Sequence, residues 1–238
     1  MSLSKHDEFW SNKLLVPSVK GIHISNKGHW DRKKFGDEDT VGFLYSSNDI
    51  LIIDFKDEVM NFTTDNIKNL KLGIGIDDII NIFDLNEFEV DCDDIDFFRT
   101  STVEYNLDSN VIVKKVFEIN SDISYFIESQ TKKDINVSAI DDEFDVYYLA
   151  YFQDELVALS GVFKAASSYY HSLSIITDKA HRKKGFGKSL LSYISEDIEK
   201  ENGVLCFRVN RDNFSSINLC KSCGFQEVSR IQTLSIIR

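Results

Sequence analysis

Proline and cysteine are scarce in this sequence, and long apolar runs are missing. Pro17 is the only proline among 238 residues, and no Pro/Gly-rich linker divides the chain, so we expect its parts to pack together closely. Four cysteines are too few for the disulfide framework of a secreted protein of this length. No stretch approaches the roughly eighteen apolar residues of a membrane-spanning helix, and the opening MSLSKHDEFW has no apolar segment behind a basic one. We therefore expect a cytoplasmic globular protein with reduced cysteines and no membrane partner.

Negative charge is concentrated in the first half of the chain. Residues 1–110 contain 11 Lys and Arg against 22 Asp and Glu, whereas residues 111–238 contain 16 against 17. Nine carboxylates and no basic residue lie between Asp77 and Asp96. The first half would repel a polyanion, so we do not expect nucleic acid as a partner. The basic cluster in residues 182–188 instead predicts a small phosphorylated ligand in the second half.

Two features that resemble metal sites lack the rest of the pattern. The acidic run DLNEFEVDCDDID, residues 84–96, has neither the central glycine nor the terminal glutamate of an EF-hand calcium loop. We interpret it as a solvated acidic surface. Cys220 and Cys223 form a C-x-x-C pair, but no second pair and no nearby histidine completes a zinc site. We expect no bound metal, and we expect both thiols to pack against the sheet.

Apolar periodicity predicts an α+β fold, and the second half shows it more clearly. Strands are predicted at 111–119, 145–152, 156–163, 171–177 and 204–209, with one or two closing strands at 225–237. Helices are predicted at 121–133, with Ser121 as N-cap, 186–201 and 213–223. The polar turn QDE between the second and third strands is typical of a β-hairpin. Hairpins within an alternation of strands and helices indicate a mixed, largely antiparallel sheet flanked by helices.

The first half is less regular but also contains predicted elements. Residues 40–55 predict a hairpin that turns at 47–49, and residues 63–72 and 76–85 predict short helices. Near residue 110 the charge balance changes and the turn signal DSN precedes a strand, so we expect a boundary there. The prediction is an acidic N-terminal α/β lobe, residues 1–110, packed against a second domain, residues 111–238.

The stretch ITDKAHRKKGFGKSLL, residues 176–191, predicts an anion-binding loop. An apolar strand leads into it and a helix follows, so unpaired backbone N–H groups lie at the positive end of a helix dipole. Gly185 and Gly187 allow the backbone to approach a ligand closely. Four basic side chains add positive charge, namely Arg182, Lys183, Lys184 and Lys188. The loop matches neither common phosphate motif, because the missing glycine of each would fall at Arg182 or Leu190. A basic, glycine-rich helix start without a ligand is the competing interpretation.

Two motifs together resemble those of one enzyme family. The loop reads R-x-x-G-x-G from Arg182 to Gly187, and one helix and one strand later comes N-x-x-S-x-x-x-C-x-x-x-G-F from Asn213 to Phe225. This pair, with the order of strands and helices over residues 111–238, resembles the GNAT superfamily of acyl-CoA-dependent N-acyltransferases. The resemblance implies a GNAT-like fold in that region, with acetyl-CoA or another acyl-CoA as co-substrate. Residues 1–110 show no such resemblance.

The resemblance also implies which residues contact the co-substrate. Backbone N–H groups from Lys183 to Lys188 would bind the CoA pyrophosphate, and the strand end Ile175–Thr177 would pair with the pantetheine arm. Asn213 would bind near the thiol end of that arm, although it also fits the N-cap of its helix. The alternative role for Arg182 is only to solvate the end of a helix. The implied cofactor-binding residues are Ile175, Ile176, Thr177, Arg182, Lys183, Lys184, Gly185, Phe186, Gly187, Lys188, Asn213 and Ser216.

Acyl transfer to an amine needs a base, an oxyanion site and a proton for the departing thiolate. A bulge around residues 174–176 would expose a backbone N–H for the oxyanion. The candidates for the base at the strand start are His171, Tyr169 and Tyr170, of which His171 has a suitable ordinary pKa of about 6.5. A water chain and a carboxylate from the first half are the alternatives. Cys220 stands where related proteins usually carry a tyrosine acid. Its ordinary pKa of about 8.5 is close to that of the leaving thiol, so it offers little driving force.

These features predict an acyl-CoA-dependent N-acyltransferase that acetylates a cationic amine, in a small molecule or a peptide. Its catalytic candidates are Cys220 and His171, and the acidic lobe would shape the acceptor site. The alternative is a non-catalytic acyl-CoA-binding sensor or interaction module with a GNAT fold. It is kept open because the predicted strand 171–177 has no carboxylate and the tyrosine is missing.

Overall fold

The computed structural model describes residues 4–25, 39–56, 64–99, 110–140, 143–164 and 169–237. The chain divides into two compact units. The first contains Met1–Asp96, Asn210–Asp212 and Val228–Arg238, and the second contains Phe97–Val209 and Asn213–Glu227. This division differs from a single boundary near residue 110, because the C-terminal segment belongs to the first unit. Across the described ranges, no helix is both long and apolar enough to cross a membrane.

The first unit is a sheet with helices. Its elements are α1 (Lys5–Lys13), β1 (Gly21–Ser25), β2 (Thr40–Ser47), β3 (Ile50–Phe55), α2 (Thr64–Lys68), α3 (Ile76–Phe83), most of β4 (Phe88–Arg99) and most of β10 (Phe225–Ile236). Strand β3 pairs with β1 in parallel and with β2 antiparallel, and β2 also pairs antiparallel with β10. The predicted hairpin over 40–55 and both predicted short helices are confirmed.

Both faces of this sheet are covered, which explains its continuous apolar strands. Ile50 and Ile52 pack in one buried cluster with Trp10 of α1, whereas Leu51 and Ile53 pack in another with residues of α3. Helix α1 was not predicted. It begins with Ser4 as N-cap, whose Oγ accepts from the Asp7 N–H at 3.1 Å and donates to Asp7 Oδ2 at 2.7 Å.

The interpretation of residues 84–96 as a solvated acidic surface is wrong for part of the run, because most of it forms β4. Glu89 and Asp91 are exposed, but Asp96 is fully buried. The Asp96 carboxylate lies 3.2 Å from His6 Nε2, and Ser229 Oγ donates to it at 3.4 Å. Arg230 Nε donates to Asp93 at 2.6 Å. These partners, distant in sequence, compensate the buried charge.

The second unit contains the predicted mixed, largely antiparallel sheet flanked by helices. Its elements are β5 (Val111–Val116), α4 (Ser121–Ser129), α5 (Lys132–Ser138), β6 (Val146–Phe152), β7 (Glu155–Lys164), β8 (Tyr170–Thr177), the 3-10 helix Lys179–His181, α6 (Phe186–Lys200), most of β9 (Val204–Asn210) and α7 (Phe214–Ser222). Strands β5, β6, β7 and β8 pair antiparallel in succession, and β8 pairs with β9 in parallel.

Sequence features explain how these elements begin and end. The β6–β7 hairpin turns at Gln153 and Asp154, whose φ values of 51° and 65° are typical of a two-residue hairpin loop. The N-cap of α4 is Asn120 rather than Ser121, since the Asn120 side chain accepts from the Ile123 N–H. The single helix predicted over 121–133 is wrong, because Thr131 caps a second helix, α5.

The two faces of the second sheet have separate cores. Helix α4 and the start of β6 contribute Ile123, Phe126 and Tyr147 to a buried cluster that also contains Ile176 of β8. Helix α6 packs against β5 to β8. Its buried residues include Phe186, Leu190, Ile194 and Ile198, so the predicted four-residue repeat is confirmed. Strand β8 therefore lies between two helical layers, directly before the glycine loop.

Candidate active site

Strands β8 and β9 separate halfway along β8. Their pairing comprises Tyr170 with Val204, His171 with Leu205, and Ser172 with Cys206. Beyond Ser172, β8 continues to pair with β7 as far as Thr177, but within the described ranges of this unit no strand register continues on its β9 side. We call residues 173–177 on that side the open edge of β8. Such an edge can pair its backbone with an extended, amide-bearing ligand.

The bulge expected around residues 174–176 is not present in the β7–β8 pairing. The register runs without a shift from His171 opposite Lys164 to Thr177 opposite Ala158. The irregularity in this part of the sheet lies instead in the β6–β7 pairing, where Val157 of β7 is the extra residue between the pairs Ala150–Ala158 and Tyr151–Leu156. The open edge, where pairing with β9 stops, replaces the bulge as the place where β8 backbone groups face a ligand.

The glycine loop lies directly after the open edge. Asp178 caps the 3-10 helix by accepting from the Ala180 N–H at 2.9 Å, and Lys183 has a φ of 63°. Helix α6 starts at Phe186, and its first α-helical hydrogen bond joins the Ser189 N–H to Gly185 O at 2.9 Å. The amides of Phe186 and Gly187 precede that bond, so helix geometry gives them no intrahelical acceptor. They lie at the positive end of the helix dipole.

The structure explains why glycine occupies positions 185 and 187. Gly185 has a φ of 91°, in the left-handed region that other residues rarely adopt. A Cβ on Gly187 would lie 2.9 Å from Thr177 Oγ1 and 3.9 Å from Leu219 Cδ2. The first turn of α6 therefore approaches both the end of β8 and α7 closely. The resulting backbone cradle fits a bound pyrophosphate, which needs exposed amides without side chains in front of them.

The four basic residues of the loop have different surroundings. Lys183 and Lys184 are exposed and Lys188 is half-buried. Arg182 Nε donates to Thr177 O at 3.0 Å, and Arg182 Nη2 lies 2.8 Å from Asp134 Oδ1 of α5. Arg182 therefore contacts the protein with both sides of its guanidinium, which neither sequence interpretation of this residue included.

The second motif begins at the start of α7. The Asn213 side chain accepts from the Ser216 N–H at 3.2 Å, so Asn213 is the N-cap of the helix. Both residues are half-buried. The N-cap interpretation of Asn213 is thus confirmed, and its proposed contact with the co-substrate is compatible with it.

Cys220 is fully buried on α7. Burial raises the pKa of its thiol well above the ordinary range, and the neighbouring Cys223 raises it further. Cys223 is also buried, and Ser192 Oγ of α6 lies 3.9 Å from its sulfur. None of the four cysteines, all of which the structure describes, forms a disulfide. Both thiols of the C-x-x-C pair stay protonated at neutral pH and pack inside the domain.

His171 lies far from the glycine loop. It is at the start of β8, six residues before Thr177, which corresponds to about 20 Å of strand. Its ring is buried, Nδ1 lies 3.0 Å from Tyr169 O, and burial lowers its pKa below the ordinary value. A Cβ on Gly203, just after α6, would lie 2.9 Å from His171 Cε1. The ring therefore packs near the C-terminal end of α6, at the opposite end of β8 from the loop.

Sequence reasoning missed the polar residues that connect α5 to the loop. They are Gln130, Thr131, Asp134 and Asp178. The pattern Thr131-x-x-Asp134 is a helix N-cap signal that could have been recognised. The contact between Asp134 and Arg182, in contrast, joins residues 48 positions apart, so no local pattern indicates it. Among the described residues, no group of three or more His, Cys, Asp or Glu side chains is placed to hold a metal ion.

Comparison with known proteins identifies the region that contains this site. Residues 143–227, which include the open edge, the loop and α7, match the family model of the acetyltransferase (GNAT) domain. Residues 143–227 are a GNAT acetyltransferase domain. GNAT acetyltransferases use acyl-CoA as their co-substrate, in agreement with the family resemblance of the two motifs.

Solved structures similar to this chain have low sequence identity to it. A putative GNAT acetyltransferase from Novosphingobium aromaticivorans is 14% identical over 64% of this chain and 69% of its own, with a TM-score of 0.48. A GNAT acetyltransferase from Colwellia psychrerythraea is 11% identical over 67% of this chain and 62% of its own, with a TM-score of 0.49. A ribosomal-protein-alanine N-acetyltransferase from Brucella melitensis is 16% identical over 53% and 99%, with a TM-score of 0.40. No curated protein matches the chain.

Proposed function

We propose that this protein is an acyl-CoA-dependent N-acyltransferase that transfers an acetyl group from acetyl-CoA to a cationic amine. The observation that carries the proposal is the open edge of β8, which leads directly into the loop with Gly185 and Gly187. An open strand edge followed by exposed helix-start amides matches the two polar parts of CoA, an amide-bearing arm and a pyrophosphate.

The loop would hold the pyrophosphate through the backbone amides from Lys183 to Lys188, with the lysine side chains adding charge. The pantetheine arm would run along Ile175, Ile176 and Thr177 as an additional strand. Asn213 and Ser216, at the start of α7, would contact the same arm. These assignments fit the exposed or half-buried state of the three lysines, Asn213 and Ser216.

Chemistry at the thioester starts when a neutral amine attacks the carbonyl carbon. The negative charge that develops on the carbonyl oxygen would be stabilised by a backbone N–H at the open edge of β8. Collapse of the tetrahedral intermediate forms the amide and breaks the C–S bond. Expelling a thiolate of pKa about 8.5 at pH 7 costs about 2 kcal/mol, so the thiol can leave without a strong acid.

Proton transfer in this scheme depends little on the two catalytic candidates. Cys220 lies in the position of the family's tyrosine, but its raised pKa makes it a weak acid, so we assign it a minor part in thiolate departure. His171 is neutral and could accept a proton, but it lies at the opposite end of β8 from the loop. We therefore assign the amine proton to a water chain.

The proposed acceptor is an amine in a small molecule or a peptide, and it is cationic in solution. The support is the charge of residues 1–110, which contain twice as many acidic as basic side chains. A field of that sign raises the local concentration of cations. The four cysteines without disulfides fit a reducing compartment, and we propose that the protein acts in the cytoplasm.

A second function is favoured by one specific observation. Strand β8, from Tyr170 to Thr177, has no carboxylate, and Cys220 replaces the tyrosine. A domain with these substitutions could bind acyl-CoA without transferring the acyl group. Thiol release from acetyl-CoA, measured with a panel of amines, separates the two functions. Release that depends on the amine supports the enzyme, whereas CoA binding without release from any amine supports the binding module.

A further inference from the structure

Arg182 connects the end of β8 to α5. Its Nε donates to Thr177 O at 3.0 Å, and its Nη2 lies 2.8 Å from Asp134 Oδ1. A guanidinium can satisfy both contacts at once because its donors form a rigid fork, which an ammonium cannot do. Thr177 ends the open edge and Arg182 begins the R-x-x-G-x-G motif. The side chain therefore fixes the loop where the proposed ligand would pass from strand to helix.

The Asp134 carboxylate is itself held in place. Thr131 Oγ1 donates to Asp134 Oδ2 at 2.7 Å, and the Asp134 N–H donates to Thr131 Oγ1 at 3.1 Å. The hydrogen bonds from Thr131 and Arg182 hold the pKa of Asp134 below its ordinary value. The carboxylate is therefore ionised at neutral pH, and both of its oxygens are used.

A second contact joins the connection between α4 and α5 to the N-terminal end of the 3-10 helix. Gln130 Nε2 donates to Asp178 Oδ2 at 3.4 Å. Asp178 Oδ1 accepts from the Ala180 N–H at 2.9 Å and lies 3.0 Å from His181 Nδ1. Asp178 and Arg182 thus attach both ends of this short segment to the α4–α5 connection. We call the Arg182–Asp134 and Gln130–Asp178 contacts the loop clamp.

We propose that Asp134 is a positioning residue for the co-substrate, which it serves through Arg182 by holding the loop in the shape that binds CoA. Arg182 acts in the loop clamp and not as a direct phosphate ligand. The inference rests on the proposed function, since it requires that the loop binds CoA. It also connects the α4–α5 helices to co-substrate binding, although they contribute no residue to the R-x-x-G-x-G motif.

Charge and positioning predict opposite effects when Asp134 is neutralised. CoA is a polyanion, so removing a carboxylate next to its loop would tighten binding if charge alone mattered. Removing the partner of Arg182 would instead weaken binding if the loop clamp sets the shape of the loop. Asparagine has the same size as aspartate and can still cap α5 through Thr131, so Asp134→Asn changes the clamp with little other disturbance.

The experiment is a calorimetric titration of CoA into the full chain, as wild type and as Asp134→Asn. We expect Asp134→Asn to raise the Kd about three- to tenfold, as typical for loss of a charged hydrogen bond. We expect the KM for acetyl-CoA to rise by the same factor while kcat stays unchanged. The unfolding temperature should fall slightly, because ionised Asp134 stabilises the fold. The matched control is Asp122→Asn, because Asp122 of α4 accepts a hydrogen bond from Tyr151 OH at 2.6 Å and not from a residue of the loop. Its Kd should equal that of the wild type.

Arg182→Lys is an independent test of the loop clamp. It also keeps the proposal testable if Asp134→Asn does not fold. It keeps the positive charge but cannot make both contacts, so it should weaken binding, and adding Asp134→Asn to it should weaken binding little further. Equal or tighter binding by folded Asp134→Asn, or unchanged binding by Arg182→Lys, would overturn the loop clamp while leaving the proposed function intact. A wild-type chain that binds no CoA would overturn the proposed function and this inference together.

Discussion

Gly187 and Thr177 approach each other so closely that a Cβ on Gly187 would lie 2.9 Å from Thr177 Oγ1. This contact brings the first turn of α6 against the last residue of β8. The amides at the helix start are thereby placed next to the open edge. The position of the proposed pyrophosphate site relative to the proposed pantetheine site depends on this approach.

Gly187→Ala should therefore weaken CoA binding, although alanine favours helix formation. The added methyl group must displace the helix start or the strand end, and we expect the Kd to rise at least about fivefold. Calorimetry on the folded variant measures the effect. Thr177→Ala in the same chain removes the clashing oxygen and should restore most of the affinity. Gly75→Ala is the control, since Gly75 has no positive φ and a Cβ there would lie no closer than 3.2 Å to another residue, the flexible side chain of Arg230. Full affinity in Gly187→Ala would refute the close-approach explanation.

Cys220→Ala should lower kcat by about tenfold or less, because a thiolate can leave unaided at a cost of about 2 kcal/mol. The matched control is Cys223→Ala, which removes a second buried thiol outside the motif position. Both variants should lose stability through the cavity left in the core, by about 1 kcal/mol or more. A pH–rate profile of wild type and both variants measures the kinetic part. A thousandfold loss of kcat in folded Cys220→Ala alone would make this thiol an essential acid or nucleophile.

His171 should affect stability more than catalysis. Burial lowers its folded pKa, so the unfolded chain binds a proton more readily than the native protein does. Its contribution to stability is therefore complete above the ordinary pKa of about 6.5 and falls as the pH drops below it. Between neutral and mildly acidic pH, the free energy of unfolding of His171→Gln should fall less than that of the wild type. Denaturant titration at each pH measures it. The kcat of the variant should change little. A hundredfold loss in a folded variant would identify His171 as the base.

The acceptor KM should rise with ionic strength, because salt screens the attraction between a cationic amine and the acidic first half. Neutralising three exposed carboxylates there, in Asp77→Asn, Glu87→Gln and Glu89→Gln combined, should raise the KM as well. The matched control neutralises three exposed carboxylates of the second unit, in Glu118→Gln, Glu196→Gln and Glu227→Gln. Equal effects of both triple variants, or a preferred acceptor that is neutral and insensitive to salt, would contradict the charge argument.

The features that could be predicted from the sequence depend on local patterns. Helix α6 has an apolar residue at every fourth position, and Gly185 and Gly187 mark the loop and the start of the helix, so both the helix and the loop could be predicted. The hairpin of β6 and β7 was found because a short polar turn separates two apolar runs. These signals come from residues close together in the chain, where one sequence window contains the whole physical cause.

The features that could not be predicted depend on distant partners. Strand β4 contains Asp93 and Asp96, and carboxylates are unfavourable in strands and in cores. The burial of these carboxylates is explained only by their contacts with His6, Ser229 and Arg230, which come from both ends of the chain. The contact between Asp134 and Arg182 is hidden for the same reason. Helix α1 differs, since its N-cap pattern Ser4-x-x-Asp7 was readable from the sequence.

CoA binding by the glycine loop is the central claim, and a titration of the Gly185→Val, Gly187→Val double variant tests it most directly. Gly185 needs a left-handed backbone and Gly187 has no room for a side chain, so two valines should block the amides of the loop. The account predicts that the wild type binds CoA in calorimetry and that the double variant, with an unchanged circular dichroism spectrum, binds none. Unchanged affinity in a folded double variant would contradict it.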